Sequence, residues 1–223
     1  MLRKDIENEA RRVQFEIWSQ RKLLWSTEPC VPAMFEPRVV AEFNGLSYEQ
    51  RESIGAFDSR TSEAAGILNR RREIISVSSR FSYEVQRFTA AHELGHFFLH
   101  PEIGYEVEHR DRPIYGMSEG RPQHEADADY FAACLLVPRK ALVAEFEHRF
   151  GTRKPLPYTT TTAFHVNLTI KDFETRRERL RFAKAVAQTQ SFDRQRFLSL
   201  ADFFKVSVSA LAIRLWECGL IDE

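Results

Sequence analysis

Arg87-Phe88-Thr89-Ala90-Ala91-His92-Glu93-Leu94-Gly95-His96-Phe97-Phe98-Leu99-His100-Pro101 is the stretch on which the reading of this 223-residue chain turns. Val85, Phe88, Ala91, Leu94 and Phe98 recur at helical spacing, Ser82 stands where a capping residue would, and Pro101 cannot continue a helix. The spacing predicts a helix of about 19 residues ending at that proline. His92 and His96 then leave one face of it, about 6 Å apart along the axis, which suits two ligands of one metal ion. Glu93 follows His92 by about 100° around the helix, so its carboxylate stands beside such an ion, able to hold and deprotonate a water there. A chain of this composition contains His-Glu-x-x-His by chance about one time in fifty, so the pentapeptide alone does not make a site.

A catalytic metal needs a third protein ligand and an open position. His100 shares the face, but it is about 12 Å along the axis from His92, too far to share one ion, and is expected to cap the helix end. The metzincin pattern fails as well, because Leu99 stands where its glycine should be. The better source is Glu125-Ala126-Asp127-Ala128-Asp129, in a second helix expected from about Gln123 to Val137 and stopped by Pro138. Glu125 and Asp129 are four apart on one face. Glu125 can ligate while Asp129, one turn on, accepts the free ring N–H of a ligand histidine. Acids near a helix start are favoured without any metal, but the apolar run Phe131 to Val137 buries this helix, and Asp129 in its middle needs a buried partner. Asp127 points about 160° away from Glu125 and His124 about 100° away, so both are expected to be solvated or loop-facing.

Working outward, Gly66-Ile67-Leu68-Asn69 and Glu73-Ile74-Ile75-Ser76-Val77-Ser78 flank the basic turn Arg70-Arg71-Arg72 and predict a β-hairpin. One of its strands is expected at the sheet edge, where an extended substrate could add by main-chain hydrogen bonds. Residues 3 to 25 predict an amphipathic scaffold helix; Val39 to Phe43 reads as a short helix or strand before Asn44-Gly45. Residues 101 to 122, rich in proline, glycine and charge, predict an irregular crossing loop. A basic amphipathic section from Lys171 to about Val186 and two short helices between Phe192 and Leu220 complete the chain. The implied fold class is α+β, with a core over residues 1–140 and a basic helical region over 141–223.

Composition narrows the function classes. Lys plus Arg equals Asp plus Glu, 32 each, so no global field draws the chain to nucleic acid or an anionic membrane. Residues 139 to 196 hold 13 basic and 6 acidic residues, which admits a DNA-binding alternative, although no base-reading motif accompanies them. Neither an apolar span nor the signal-peptide core is present, which points to the cytosol. Cys30, Cys134 and Cys218 are too scattered for a Cys-x-x-Cys site and read as reduced thiols.

The stretches Arg87 to His96 and Glu125-Ala126-Asp127-Ala128-Asp129-Tyr130-Phe131-Ala132-Ala133-Cys134-Leu135-Leu136-Val137-Pro138 resemble the ImmA/IrrE family of metallopeptidases. Likeness extends to the hairpin and to a helical tail around Leu200 to Leu215. The resemblance implies a zincin-like core of the gluzincin type, with one Zn2+ on His92, His96 and Glu125 and with Glu93 as general base. It also implies a protein substrate, typically a helix-turn-helix transcriptional repressor of a stress regulon or mobile element. Asp127 departs from the glutamate often found there, and the first 25 residues are too short for the helix-turn-helix domain fused to many relatives. An antitoxin-like binding module is the remaining alternative, and intact Glu93 argues against it. Tyr105, His109, Tyr115, Tyr130, Tyr158 and His165 are the side chains from which a donor for the tetrahedral oxyanion could come.

Overall fold

The computed structural model describes residues 1–55, 63–102, 108–110, 122–169 and 176–222, which divide into two compact units, Met1–Leu136 and Val137–Glu223. The expected crossing loop lies mostly outside the described residues.

The first unit opens with α1 (Arg3–Ser19), whose buried Ile6, Ala10, Val13 and Ile17 form one stripe at spacings of four, three and four. Its outer face carries the Glu7–Arg11 and Glu9–Arg12–Glu16 ion pairs. The scaffold helix is shorter than expected: the chain leaves helical geometry at Gln20 and adds the single turn α2 (Arg21–Leu24). α3 (Val31–Met34) and α4 (Pro37–Phe43) follow, and α4 is helical because Pro37 at its first position presets φ.

β1 (Ser47–Arg51), β2 (Gly66–Asn69), β3 (Ile74–Ser78) and β4 (Glu108–Arg110) form a sheet in the order β1-β3-β2-β4. β2 and β3 are the expected antiparallel hairpin, in register Leu68↔Ile75. Asn69 Oδ1 closes its turn by accepting from Arg72 N at 3.0 Å, and Glu73 takes the left-handed φ of 53° there. The expectation that a hairpin strand forms the sheet edge is wrong, since β1 pairs parallel to β3 on one side and β4 pairs antiparallel to β2 on the other. β1 was not legible: Ser-Tyr-Glu-Gln-Arg is polar and largely exposed, with no apolar alternation to betray it.

α5 (Tyr83–Leu99) is buried without interruption from Arg87 to His96, the pattern of a helix running through a core. Ser82 has the extended geometry of a cap residue, but its side chain makes no capping hydrogen bond. α6 (Gln123–Leu136) packs along α5, and α1 packs along α6, where Gln14 Nε2 donates to the carbonyls of Cys134 and Leu135 at 2.9 and 3.2 Å.

The second unit holds α7 (Arg139–Phe150), α8 (Thr160–His165), α9 (Arg176–Gln188), the hairpin of β5 (Ser191–Phe192) and β6 (Gln195–Arg196), α10 (Leu200–Phe204) and α11 (Val208–Glu217). Phe146, Phe182, Phe204, Leu211 and Leu215 are among the fully buried side chains of its core. Ser199 and Ser207 cap α10 and α11 by accepting from Asp202 N and Ala210 N, both at 3.1 Å. The two C-terminal helices stand as expected. α7, α8 and the two-residue strands carried no sequence signal strong enough to name.

Candidate metal centre

α5 and α6 can approach closely because Gly95 carries no side chain: a Cβ there would stand 2.9 Å from both the Cα and the carbonyl oxygen of Ala128. That crossing brings Glu125, at the start of α6, against the two histidines one turn apart on α5. Glu125 Oε2 lies 3.2 Å from His92 Nε2, and its Oε1 3.3 Å from His96 Nε2. The two Nε2 atoms are 2.9 Å apart, with their rings edge to face. Among the described residues these are the ones that gather three candidate ligand atoms within 4.8 Å.

Ligand atoms on a tetrahedral zinc, each about 2.0 to 2.1 Å from it, stand about 3.3 Å from one another. Both glutamate-to-histidine separations match that value, and the histidine pair is slightly closer. Chemistry agrees with geometry. Burial pushes the Glu125 carboxyl up, but hydrogen bonds and charge from His92 and His96 outweigh it and hold the group well below the usual carboxylate range. An ionised carboxylate between two imidazoles is a donor set for a dication of borderline softness.

Asp129, one turn along α6, has Oδ1 2.9 Å from His92 Nδ1. With Nδ1–H donated there, the ring is held with Nε2 pointing towards Glu125 and His96. Glu93 is not one of the three clustered residues. It is buried, and its carboxylate lies along β2, where a Cβ on Gly66 would be 3.3 Å from Glu93 Oε1 and 2.3 Å from Thr89 Cγ2. Gly66 therefore makes the space in which Thr89 and Glu93 pack against the sheet.

Of three expectations about neighbouring residues, the one for His100 holds and those for Asp127 and His124 need correction. His100 caps α5 as expected, its backbone N–H donating to the carbonyl of His96 at 3.1 Å, and its Nε2 also donates to the carbonyl of His124 at 3.1 Å, tying the end of α5 to the start of α6. Burial, and then the charge of His96, lower its pKa, as suits a neutral donor. Arg70 adds to the capping of α5, its Nη2 donating to the carbonyls of His96 and His100 at 2.5 and 3.0 Å. The basic turn had signalled only a turn. Asp127 is buried rather than solvated, accepting from Gln123 Nε2 at 2.7 Å and from the Met1 amino group at 3.1 Å. His124 is half exposed yet stands at the site, its Nε2 3.5 Å from Glu125 Oε1. Of the side chains named for the oxyanion, Tyr130 lies beneath the Arg3 guanidinium, Tyr158 packs on Phe182 and His165 on Phe192. Tyr105, Tyr115 and the His109 side chain lie outside the described residues.

Residues 50–173, more than half of the chain and inclusive of every residue in the cluster, match the family model of the IrrE N-terminal-like peptidase domain. The chain belongs to that family. No protein in the curated collection matches it. Membership of the IrrE-like peptidases accounts for the α+β architecture, a small sheet with long helices laid against it. It also implies a metallopeptidase with a protein substrate. Among the described residues, no helix is long and apolar enough to cross a membrane.

Proposed function

We propose that this IrrE-like protein is a zinc-dependent endopeptidase acting in the cytosol, with His92, His96 and Glu125 holding one ion and Glu93 as general base. The observation that carries the reading is the pair of 3.2 and 3.3 Å separations between Glu125 and the two histidine nitrogens, the spacing of ligands around a single tetrahedral ion. When bound, zinc supplies a Lewis acid that polarises the scissile carbonyl and lowers the pKa of water towards about 7. Glu93 takes the proton of the attacking water and delivers it to the departing amine nitrogen. Its position one residue after His92 keeps the carboxylate beside the ligand set rather than in it. Asp129 holds the His92 ring with Nε2 directed inward.

The substrate we propose is a helix-turn-helix transcriptional repressor, on the strength of the likeness to the ImmA/IrrE metallopeptidases. The catalytic core is proposed to span residues 1–140, with 141–223 as a basic helical appendage. The deciding experiment measures zinc content and cleavage of the repressor encoded beside the gene, wild type against Glu93→Gln. The variant should keep its metal and lose about 10² to 10⁴ of the cleavage rate. Equal cleavage by the two proteins would remove Glu93 from the mechanism.

A further inference from the structure

A cavity of about 1030 Å³ opens within the second unit, between α9, the residues that follow α8 and the β5–β6 hairpin. The zinc proposal makes no use of it. Its charged lining comes from two elements: Arg181 and Lys184, one turn apart on α9, and Arg196 on β6. Among the described residues lining it, none is a carboxylate. Arg181 is held in place from outside the cavity, its Nη1 reaching both oxygens of Glu178 at 2.5 and 2.7 Å. Among the described residues neither Lys184 nor Arg196 has a carboxylate at ion-pair distance, although the unit is rich in such pairs elsewhere.

Cations gathered in one concavity repel one another and focus a positive potential into it, a cost relieved when an anion enters. Arginine and lysine together are the pair suited to phosphate, one by its planar fork and the other as a point charge. The volume is far more than a lone phosphate fills and stands at the upper end of pockets that enclose small organic ligands. Phe197 lines the same cavity, half-buried, and offers a ring against which a planar or apolar body can lie. The amides of Asn167 and Gln188 add neutral donors and acceptors. A DNA duplex would need its cations along an accessible face, and here they converge on a hollow.

We infer that this cavity is a binding site for a small phosphate monoester carried on an aromatic or apolar body, anchored by Lys184 and Arg196 with Arg181 beside them. Isothermal titration of the full chain at physiological ionic strength tests it, with AMP, inorganic phosphate, adenosine and a random-sequence DNA duplex as the probes. AMP is expected to bind at one per chain, inorganic phosphate more weakly at the same place, and adenosine without detectable heat. Lys184→Gln combined with Arg196→Gln should weaken AMP by about tenfold or more, whereas Arg196→Lys, which keeps the charge, should retain most of the affinity. Both positions are partly or wholly exposed, and an unchanged circular dichroism spectrum verifies that the paired variant folds. Three results would each overturn the inference. One is the absence of binding by both AMP and phosphate; another is AMP binding indifferent to the paired substitution; the third is duplex binding that depends on these cations while AMP does not bind.

Discussion

Asp129 stands behind a proposed ligand rather than among the three clustered residues, and that makes it the most informative single residue of the centre. It meets Nδ1 of His92, on the far side of the ring from Glu125, so replacing it alters the orientation and basicity of one proposed ligand without removing any. Asp129→Asn is expected to weaken zinc binding by about 10- to 100-fold. Competition against a chelator of known affinity measures this, and an unchanged affinity would reduce Asp129 to a packing role. Its part was legible because a helix repeats every four residues, so the face shared by Glu125 and Asp129 follows from numbering alone. Asp127 was misread for the complementary reason. It was judged against its own helix, while one of its partners, the Met1 amino group, comes from a part of the chain that spacing cannot locate.

At the scale of elements, the centre is made by one helix crossing, and the crossing rests on Gly95. The atoms that a Cβ would meet, at 2.9 Å, belong to the Ala128 backbone, which cannot turn aside as a side chain would. Gly95→Ala therefore has to push α6 away from α5, and α6 carries both Glu125 and Asp129. The expected result is a loss of about 1 to 3 kcal/mol of stability from overpacking, read from urea unfolding, together with weaker zinc binding read by chelator competition. Wild-type metal affinity in a folded Gly95→Ala protein would show that the two helices do not need this approach. The sequence announced α5, α6 and the β2–β3 hairpin, since each is apolar with a clear period and bounded by turn residues. It was silent on β1, whose place beside β3 comes from backbone pairing by polar residues. It was silent also on how near α6 comes to α5: Gly95 sits inside the motif, yet what it faces is a residue 33 positions later.

For the whole molecule, the proposed ligands span residues 92 to 125, so an ion bound by them ties α5 to α6 and favours only the native arrangement. A ligand that binds only the folded chain stabilises it by about 4 kcal/mol when present at about a thousand times its dissociation constant. All three proposed ligands belong to the Met1–Leu136 unit, and phenylalanines and leucines of the Val137–Glu223 unit are buried in its core. Chelation should therefore act unevenly. Amide hydrogen exchange after removal of the metal is expected to quicken through α5, α6 and β2, the strand against which Glu93 and Thr89 pack, and to leave α9 and α11 protected as before. Unchanged exchange in α5 would mean that the ion contributes nothing to holding the crossing together. Equal acceleration in α9 and α11 would mean that the two units unfold as one, and the stabilisation by zinc would then belong to the entire chain rather than to the unit that binds it.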